Sequence, residues 1–252
     1  LFYASGRPQT ALEVLLFEKL ALLEMDKKNR AIEEREKLND LMDYYTLWAH
    51  QIKTPIAASS LLVGEIEDKK VNNQLEQELF KIESYVNIVL QYLRLESFHE
   101  DLVLKKENLE DLVKEIVKKY AIFFIQKGLS LHLHDLDRTI ITDRKWFIVI
   151  LEQVLSNSLK YTSQGGIEIY FQEDTLYIKD SGLGIQDADL LRVFERGFSG
   201  YNGRLTQQSS GLGLYLSKKI ADELGHQISI ASQVGHGTTV MISFSEKKMI
   251  FE

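Results

Sequence analysis

Cysteine is absent from the 252-residue sequence. That excludes disulfides, zinc ribbons, thiolate clusters and a cysteine nucleophile, and it fits a reducing compartment. Proline occurs only at Pro8 and Pro55, and of 15 glycines only Gly6 and Gly64 precede Gly128. No apolar run approaches the roughly 18 to 20 residues that span a bilayer. The best stretch, Phe147 to Leu151, is short and follows Asp143, Arg144 and Lys145. No signal peptide, internal repeat or low-complexity tract is visible. An excess of positive charge is missing too, since 30 Lys and Arg against 37 Asp and Glu leave −7. Without a basic patch, direct nucleic-acid binding is not expected as a main role.

What remains is 44% hydrophobic and 27% charged, enough apolar material for a core and too little charge for a disordered tail. The length fits one large domain or two modest ones. The chain opens on Leu1 rather than Met, so a segment of a longer protein is expected.

The glycine-poor first part reads as long helix. Leu38, Leu41, Tyr45, Trp48 and Ile52 recur at steps of three and four, continuing less regularly through Ser59, Leu62 and Ile66. Leu75, Leu79, Ile82, Val86, Val89 and Leu93 form a second such stripe. The short polar stretch Gly64 to Asn73 joins them into a helical hairpin. One hairpin buries one stripe per helix, so a homodimeric four-helix bundle is expected. A continuous helix from Asp26 to Val63 would be about 57 Å long, longer than a compact domain needs, which suggests a signal-carrying or coiled-coil extension.

After Phe98 the grammar changes. Strands are expected near 102–106, 129–134 and 139–142, helices at 109–126 (stopped by Gly128), 144–161 and 211–224, and hairpins at 167–180 and around Gly235-His236-Gly237. The fold class is therefore α+β, a helical hairpin followed by an α/β sandwich with helices on one face of a mixed sheet.

Several segments carry chemistry. His50 lies five residues past Tyr45 and two before Ile52, which puts it on the outer helix face with Lys53 and Thr54. An exposed imidazole nitrogen can attack a phosphoryl group, and Pro55 can bend the helix just beyond it. Gln153, Asn157 and Tyr161 are spaced by four along one helix face. The Asn157 amide oxygen suits Mg²⁺, and Lys160 can neutralise phosphate. Asp180-Ser181-Gly182-Leu183-Gly184-Ile185 follows a strand. Asp180 can accept from an exocyclic amine such as that of adenine, and the glycines admit a flat ligand. Gly211-Leu212-Gly213-Leu214 opens a helix whose N-terminus suits a polyphosphate. Between these lies Gln186 to Gln208, a lid-like loop with Arg196 and Arg204. His132, His134, His99, His226 and His236 are given no chemistry, Trp146 and the Phe123-Phe124 pair are assigned to the core, and Glu152 is expected to face solvent.

In this order the segments resemble the sensor histidine kinases of two-component systems, over residues 36 to 246. His50 matches the H-box, Gln153 to Thr162 the N-box, Asp180 to Gly184 and Gly211 to Leu214 the glycine boxes, and Val193 to Phe198 the F-box. The text around His50 and at 194–200 is similar to the intramembrane-sensing, bacitracin- and antimicrobial-peptide-responsive kinases. The resemblance implies a signal-transmitting helix at 1–35, a dimerisation and phosphotransfer domain at 36–98, and a catalytic ATP-binding domain of the GHKL type at 99–252. It implies autophosphorylation on His50 from ATP and Mg²⁺, and transfer to an aspartate of a response regulator. Adenine would lie near Asp180, Gly184 and Ile185, and the backbone of Gly211 and Gly213 would meet phosphate. Thr54 would position a water for regulator phosphatase activity. It further implies the cytoplasmic portion of a cell-membrane protein coupled to an ABC transporter.

Two departures stand out. Gln51 replaces the acidic neighbour of the phosphoacceptor and can hydrogen bond but not act as a base. Gln153 replaces the first N-box Asn. Gln51 keeps alive a rival reading, a dimeric nucleotide-binding scaffold with little kinase activity. A third reading, an ATPase of the same superfamily, would need a carboxylate base in the N-box helix, and Gln153 is not one.

Overall fold

A computed structural model describes residues 10–95, 98, 102–200 and 211–244. The chain divides into two units, 1–90 and 91–252; the division falls within the second helix.

The first unit is helical. Helix α1 spans Ala11–Gly64, 54 residues with Pro55 inside it. It starts fifteen residues before the expected Asp26, because residues 11–25 consist of Leu, Ala, Glu, Met and other helix-compatible types. Helix α2, Lys69–Arg94, follows a four-residue turn. Asp68 caps it, Oδ1 accepting the N–H of Lys70 (2.8 Å) and of Val71 (3.2 Å). The Asn72 amide donates to the Val63 carbonyl at 2.9 Å and closes the turn. Leu41, Leu62, Leu75 and Ile82, four members of the two stripes, are exposed in the single chain.

In the second unit β1 (Lys105–Asn108) precedes α3 (Leu109–Lys127). Strands β2 (Ser130–His134) and β3 (Thr139–Thr142) lead to α4 (Arg144–Tyr161). Then come β4 (Gly166–Gln172), β5 (Thr175–Asp180), the single turn α5 (Asp187–Leu190), α6 (Gly213–Glu223), β6 (His226–Gln233) and β7 (Gly237–Phe244). A five-stranded sheet has the order β2-β4-β5-β7-β6. The β2–β4 pair is parallel and the others antiparallel. β1 and β3 form a small separate antiparallel sheet.

Strand alternation sorts the two faces. Ile167, Ile169, Leu176, Ile178, Val240 and Ile242 are buried on the helix-covered side. Helix α4 packs on β5, α3 and α6, and Trp146, Phe147, Ile150, Val154 and Leu155 bury it. On the other face His134, Tyr170 and Tyr177 stack in register, with ring centroids 5.0 and 4.8 Å apart.

Helix α4 begins at a doubly used cap. Asp143, 4% exposed, accepts the Trp146 N–H on Oδ1 (3.0 Å) and the Val103 N–H on Oδ2 (2.8 Å). Buried Phe98 packs on Trp146, centroids 4.8 Å apart. Expected Trp146 and Phe124 are indeed core, while Phe123 is half-buried. The expectation for Glu152 is corrected: it faces α3, where its carboxylate pairs with Lys119 at 2.5 Å and its side chain is 12% exposed.

Candidate nucleotide site and phosphoacceptor helix

Asp180 ends β5 on the helix-covered face and is 6% exposed. Its Oδ1 accepts the N–H groups of Gly182 (2.9 Å) and Thr238 (3.2 Å), and the Ser158 hydroxyl on α4 also donates to the carboxyl. Burial pushes the carboxyl pKa up, and these three hydrogen bonds pull it back. A carboxylate has about four acceptor positions. Three are taken, which leaves one for an incoming amine.

The backbone around this carboxylate is close-fitting. A side chain on Gly182 would collide with the Tyr161 carbonyl, with Asp180 and with the Thr162 hydroxyl. Gly184 has φ +72, and a Cβ there would strike the Gln233 carbonyl. Ile185 follows with its N–H on the Ser232 hydroxyl at 2.8 Å. Thr162 is fully buried, and its Oγ1 has no hydrogen-bond partner among the described residues. A buried orphan hydroxyl, a spare carboxylate lone pair and a wall without side chains fit a flat base carrying polar edge groups.

Helix α4 supplies one wall. Gln153 is buried, and Asn157 and Tyr161 follow at steps of four, both half-buried. The Lys160 ammonium lies 4.9 Å from the centre of the Tyr161 ring, and burial lowers its pKa to about 8. The carbonyls that end α4 are nearly all satisfied. Thr162 N–H bonds the Ser158 carbonyl (3.1 Å), and Leu183 N–H bonds the Tyr161 carbonyl (3.2 Å). The Lys127 ammonium donates to the carbonyls of Leu159 and Thr162.

The second glycine pair meets this wall directly. A Cβ on Gly213 would collide with Oε1 of Gln153. Gly211 is not helical as expected: its φ of +67 is left-handed, so α6 starts two residues later. Its carbonyl accepts the Gly197 N–H at 3.0 Å, which ties the middle of the 186–208 loop to the residues just before α6. Leu212 occupies the N-cap of α6 and Leu214 its first turn, and the apolar Leu212 side chain makes no capping hydrogen bond. Arg196 extends over the Tyr92 ring, 5.0 Å from its centre. Arg204 lies outside the described residues.

In the first unit His50 and Gln51 are exposed on α1. The Thr54 hydroxyl, also exposed, donates to the His50 carbonyl at 3.1 Å. Among the described residues no cluster of three His, Cys, Asp or Glu could hold a metal ion. A divalent cation here would depend on Asn157, on water and on the oxygens of its ligand, as Mg²⁺ commonly does.

Sequence reasoning found the segments but missed Ser158, Thr162, Lys127, Thr238 and Ser232. Ser158 and Thr162 lie inside a stretch already singled out, and a count of which residues face Gln153 would not have selected them. Lys127, Ser232 and Thr238 reach the site from elements far away in sequence, and no local pattern marks them.

Residues 142–248 match the family described as histidine kinase-, DNA gyrase B-, and HSP90-like ATPases. Over 240 residues the chain is 35% identical to sensor histidine kinase YxdK of Bacillus subtilis (strain 168), covering 92% of this chain and 73% of the relative. It is 31% identical over 245 residues to sensor protein BceS of the same organism, covering 96% and 73%. With sensor protein kinase GraS of Staphylococcus aureus (strain N315) it shares 35% identity over 230 residues, covering 89% and 66%. Full-length ShkA in complex with AMPPNP superposes with a TM-score of 0.59 at 20% identity, over 81% of this chain and 46% of that one. The Acinetobacter baumannii histidine kinase AdeS gives 0.54 at 20% identity, over 79% and 98%. These two likenesses concern the fold. With the ATPase-family match, the sequence relatives and the assembled site together, the chain belongs to the sensor histidine kinases, the ATP-dependent protein-histidine kinases of two-component signalling.

Proposed function

We propose that ATP binds with its adenine edge against Asp180 and that its γ-phosphoryl group is transferred to His50. The observation that carries the base assignment is the spare acceptor position of Asp180 beside the orphan Thr162 hydroxyl. An adenine amine donates to that carboxylate. A guanine carbonyl would set acceptor against acceptor, so guanine is rejected. Gly184 and the backbone at Ile185 line the base. The start of α6, at Gly211, Leu212, Gly213 and Leu214, receives the phosphates, and Lys160 adds charge. Gln153 supports this wall through its contact with Gly213. Arg196 and Arg204 are the lid's candidates for neutralising phosphate.

Asn157 offers an amide oxygen to Mg²⁺, which neutralises phosphate charge when bound. In the transfer a ring nitrogen of His50 bonds to the γ-phosphorus as its bond to the ADP oxygen breaks, and positioning and electrostatics supply most of the catalysis. Gln51 offers hydrogen bonding alone. The phosphoryl group then passes to a response-regulator aspartate, and Thr54, one turn beyond His50, positions water to hydrolyse the phosphorylated aspartate, releasing inorganic phosphate and the free carboxylate. The exposed stripe residues of α1 and α2 are the surfaces for a homodimer. No described helix is long and apolar enough to cross a membrane. The placement of the chain as the cytoplasmic part of a membrane sensor, coupled to an ABC transporter, is part of the same reading.

The test uses γ-labelled ATP with Mg²⁺ on the parent, His50→Ala and Asn157→Ala. Acid-labile, alkali-stable label on the parent alone is expected. ATP binding without label would favour the scaffold reading, for which Gln51 is the specific observation.

A further inference from the structure

The end of α4 carries both Thr162 and the Tyr161 carbonyl, and both form part of the base cradle. Two carbonyls there, of Leu159 and Thr162, belong to residues 4% and 0% exposed. Water has little access to them, and a buried carbonyl without a donor is costly. The donor to both is Lys127, the last residue of α3, whose ammonium bonds the Thr162 carbonyl at 3.0 Å and also reaches that of Leu159. The next residue, Gly128, is left-handed at φ +63 and caps α3 with its N–H on the carbonyls of Phe124 and Ile125. The cap ends the helix right after Lys127 and holds the lysine at the α4 terminus. On its other side that terminus is tied to the glycine loop by the Leu183 N–H on Tyr161.

We propose that Lys127 is a positioning residue for nucleotide binding: by bonding the last carbonyls of α4 it fixes the Thr162 hydroxyl and the Tyr161 carbonyl against the base. It touches no part of the nucleotide itself. The inference rests on the reading of the cradle as an ATP site. It predicts a loss felt by the base and not by the phosphates, because Lys127 acts on the backbone beneath the adenine.

The test is the dissociation constant of adenosine, ADP and ATP for the full chain, Lys127→Met and Lys127→Arg. Met keeps the stem length and a good helix propensity, so the variant is expected to fold. Arg restores two donors. All three ligands should bind Lys127→Met more weakly by the same factor, roughly fivefold as for a lost charged hydrogen bond partly replaced by water, and Lys127→Arg should recover most of it. Unchanged constants in Lys127→Met would overturn the inference and leave the ATP site standing. A loss that grows from adenosine to ATP would also overturn it, since that pattern reports a missing positive charge and not a displaced backbone. Should Lys127→Met unfold, Lys127→Gln, too short to span both carbonyls, takes its place with the same expectations. A parent chain that binds none of the three would overturn the ATP-site reading and this inference together.

Discussion

Gly213 packs so tightly on the side-chain amide of Gln153 that no Cβ fits between them. The obstructing atom is the end of a flexible side chain, so Gly213→Ala should fold, with a melting temperature within a few degrees of the parent. Its cost falls on function, because Gln153 must leave its place beside the start of α6. A nucleotide affinity about tenfold lower is expected, an estimate for one displaced polar contact, measurable by titration calorimetry. Gly184→Ala is the contrast. There the obstruction is the Gln233 backbone and φ is +72, so a destabilisation of about 2–4 kcal/mol is expected, read from urea unfolding.

Lys160 makes ATP binding depend on pH. Burial lowers its pKa to about 8, and only its charged form attracts phosphate. Bound phosphate raises that pKa, so binding takes up a proton and affinity falls as pH rises through about 8. Lys160→Arg, charged throughout, should flatten the profile between pH 7 and 9. For the unliganded chain the sign is opposite. The unfolded lysine holds its proton up to its ordinary value of 10.5, so folding stability rises between about 8 and 10.5.

His226 should make the second unit acid-sensitive. It is 6% exposed, lies against Phe147 and Phe244, and shares a 3.1 Å hydrogen bond with Thr142. Burial lowers its pKa from 6.5 to about 4. Above pH 6.5 both states are neutral and stability is full. Below it the unfolded chain gains a proton that the folded one refuses, and stability is lost until about pH 4. The linkage amounts to about 2 kcal/mol between pH 7 and 5. Urea midpoints at the two pH values check it, and His226→Gln should show a smaller difference.

Asp143 links the start of α4 to the segment that follows α2. Asp143→Ala removes a helix cap and the bond to Val103 together, so a loss of about 2–4 kcal/mol is expected. Limited proteolysis around residue 103 should speed up in this variant. Unchanged cleavage there would contradict the second role of the carboxylate.

Local signals were enough for several elements. Helix α4 lies at the expected 144–161. Gly128 ends α3 one residue beyond the expected helix, in the left-handed conformation that favours glycine. Where the structure departs, a distant partner decides. Strand β1 lies at 105–108 rather than 102–106 because its register is set by β3, with Lys105 opposite Thr142. Gly211 is pulled out of α6 by its bond to Gly197. Asp180 was legible as a candidate base reader from the glycines after it. Its other supports were not, since Ser158 and Thr238 reach it from α4 and β7.

Pro55 sits five residues past His50 within an unbroken α1. It has no amide hydrogen, so the Gln51 carbonyl loses its usual donor four residues on. The rung is missing in the turn that carries the proposed phosphoacceptor. In amide-exchange terms the turn after His50 is expected to open more readily than the turns on either side of it.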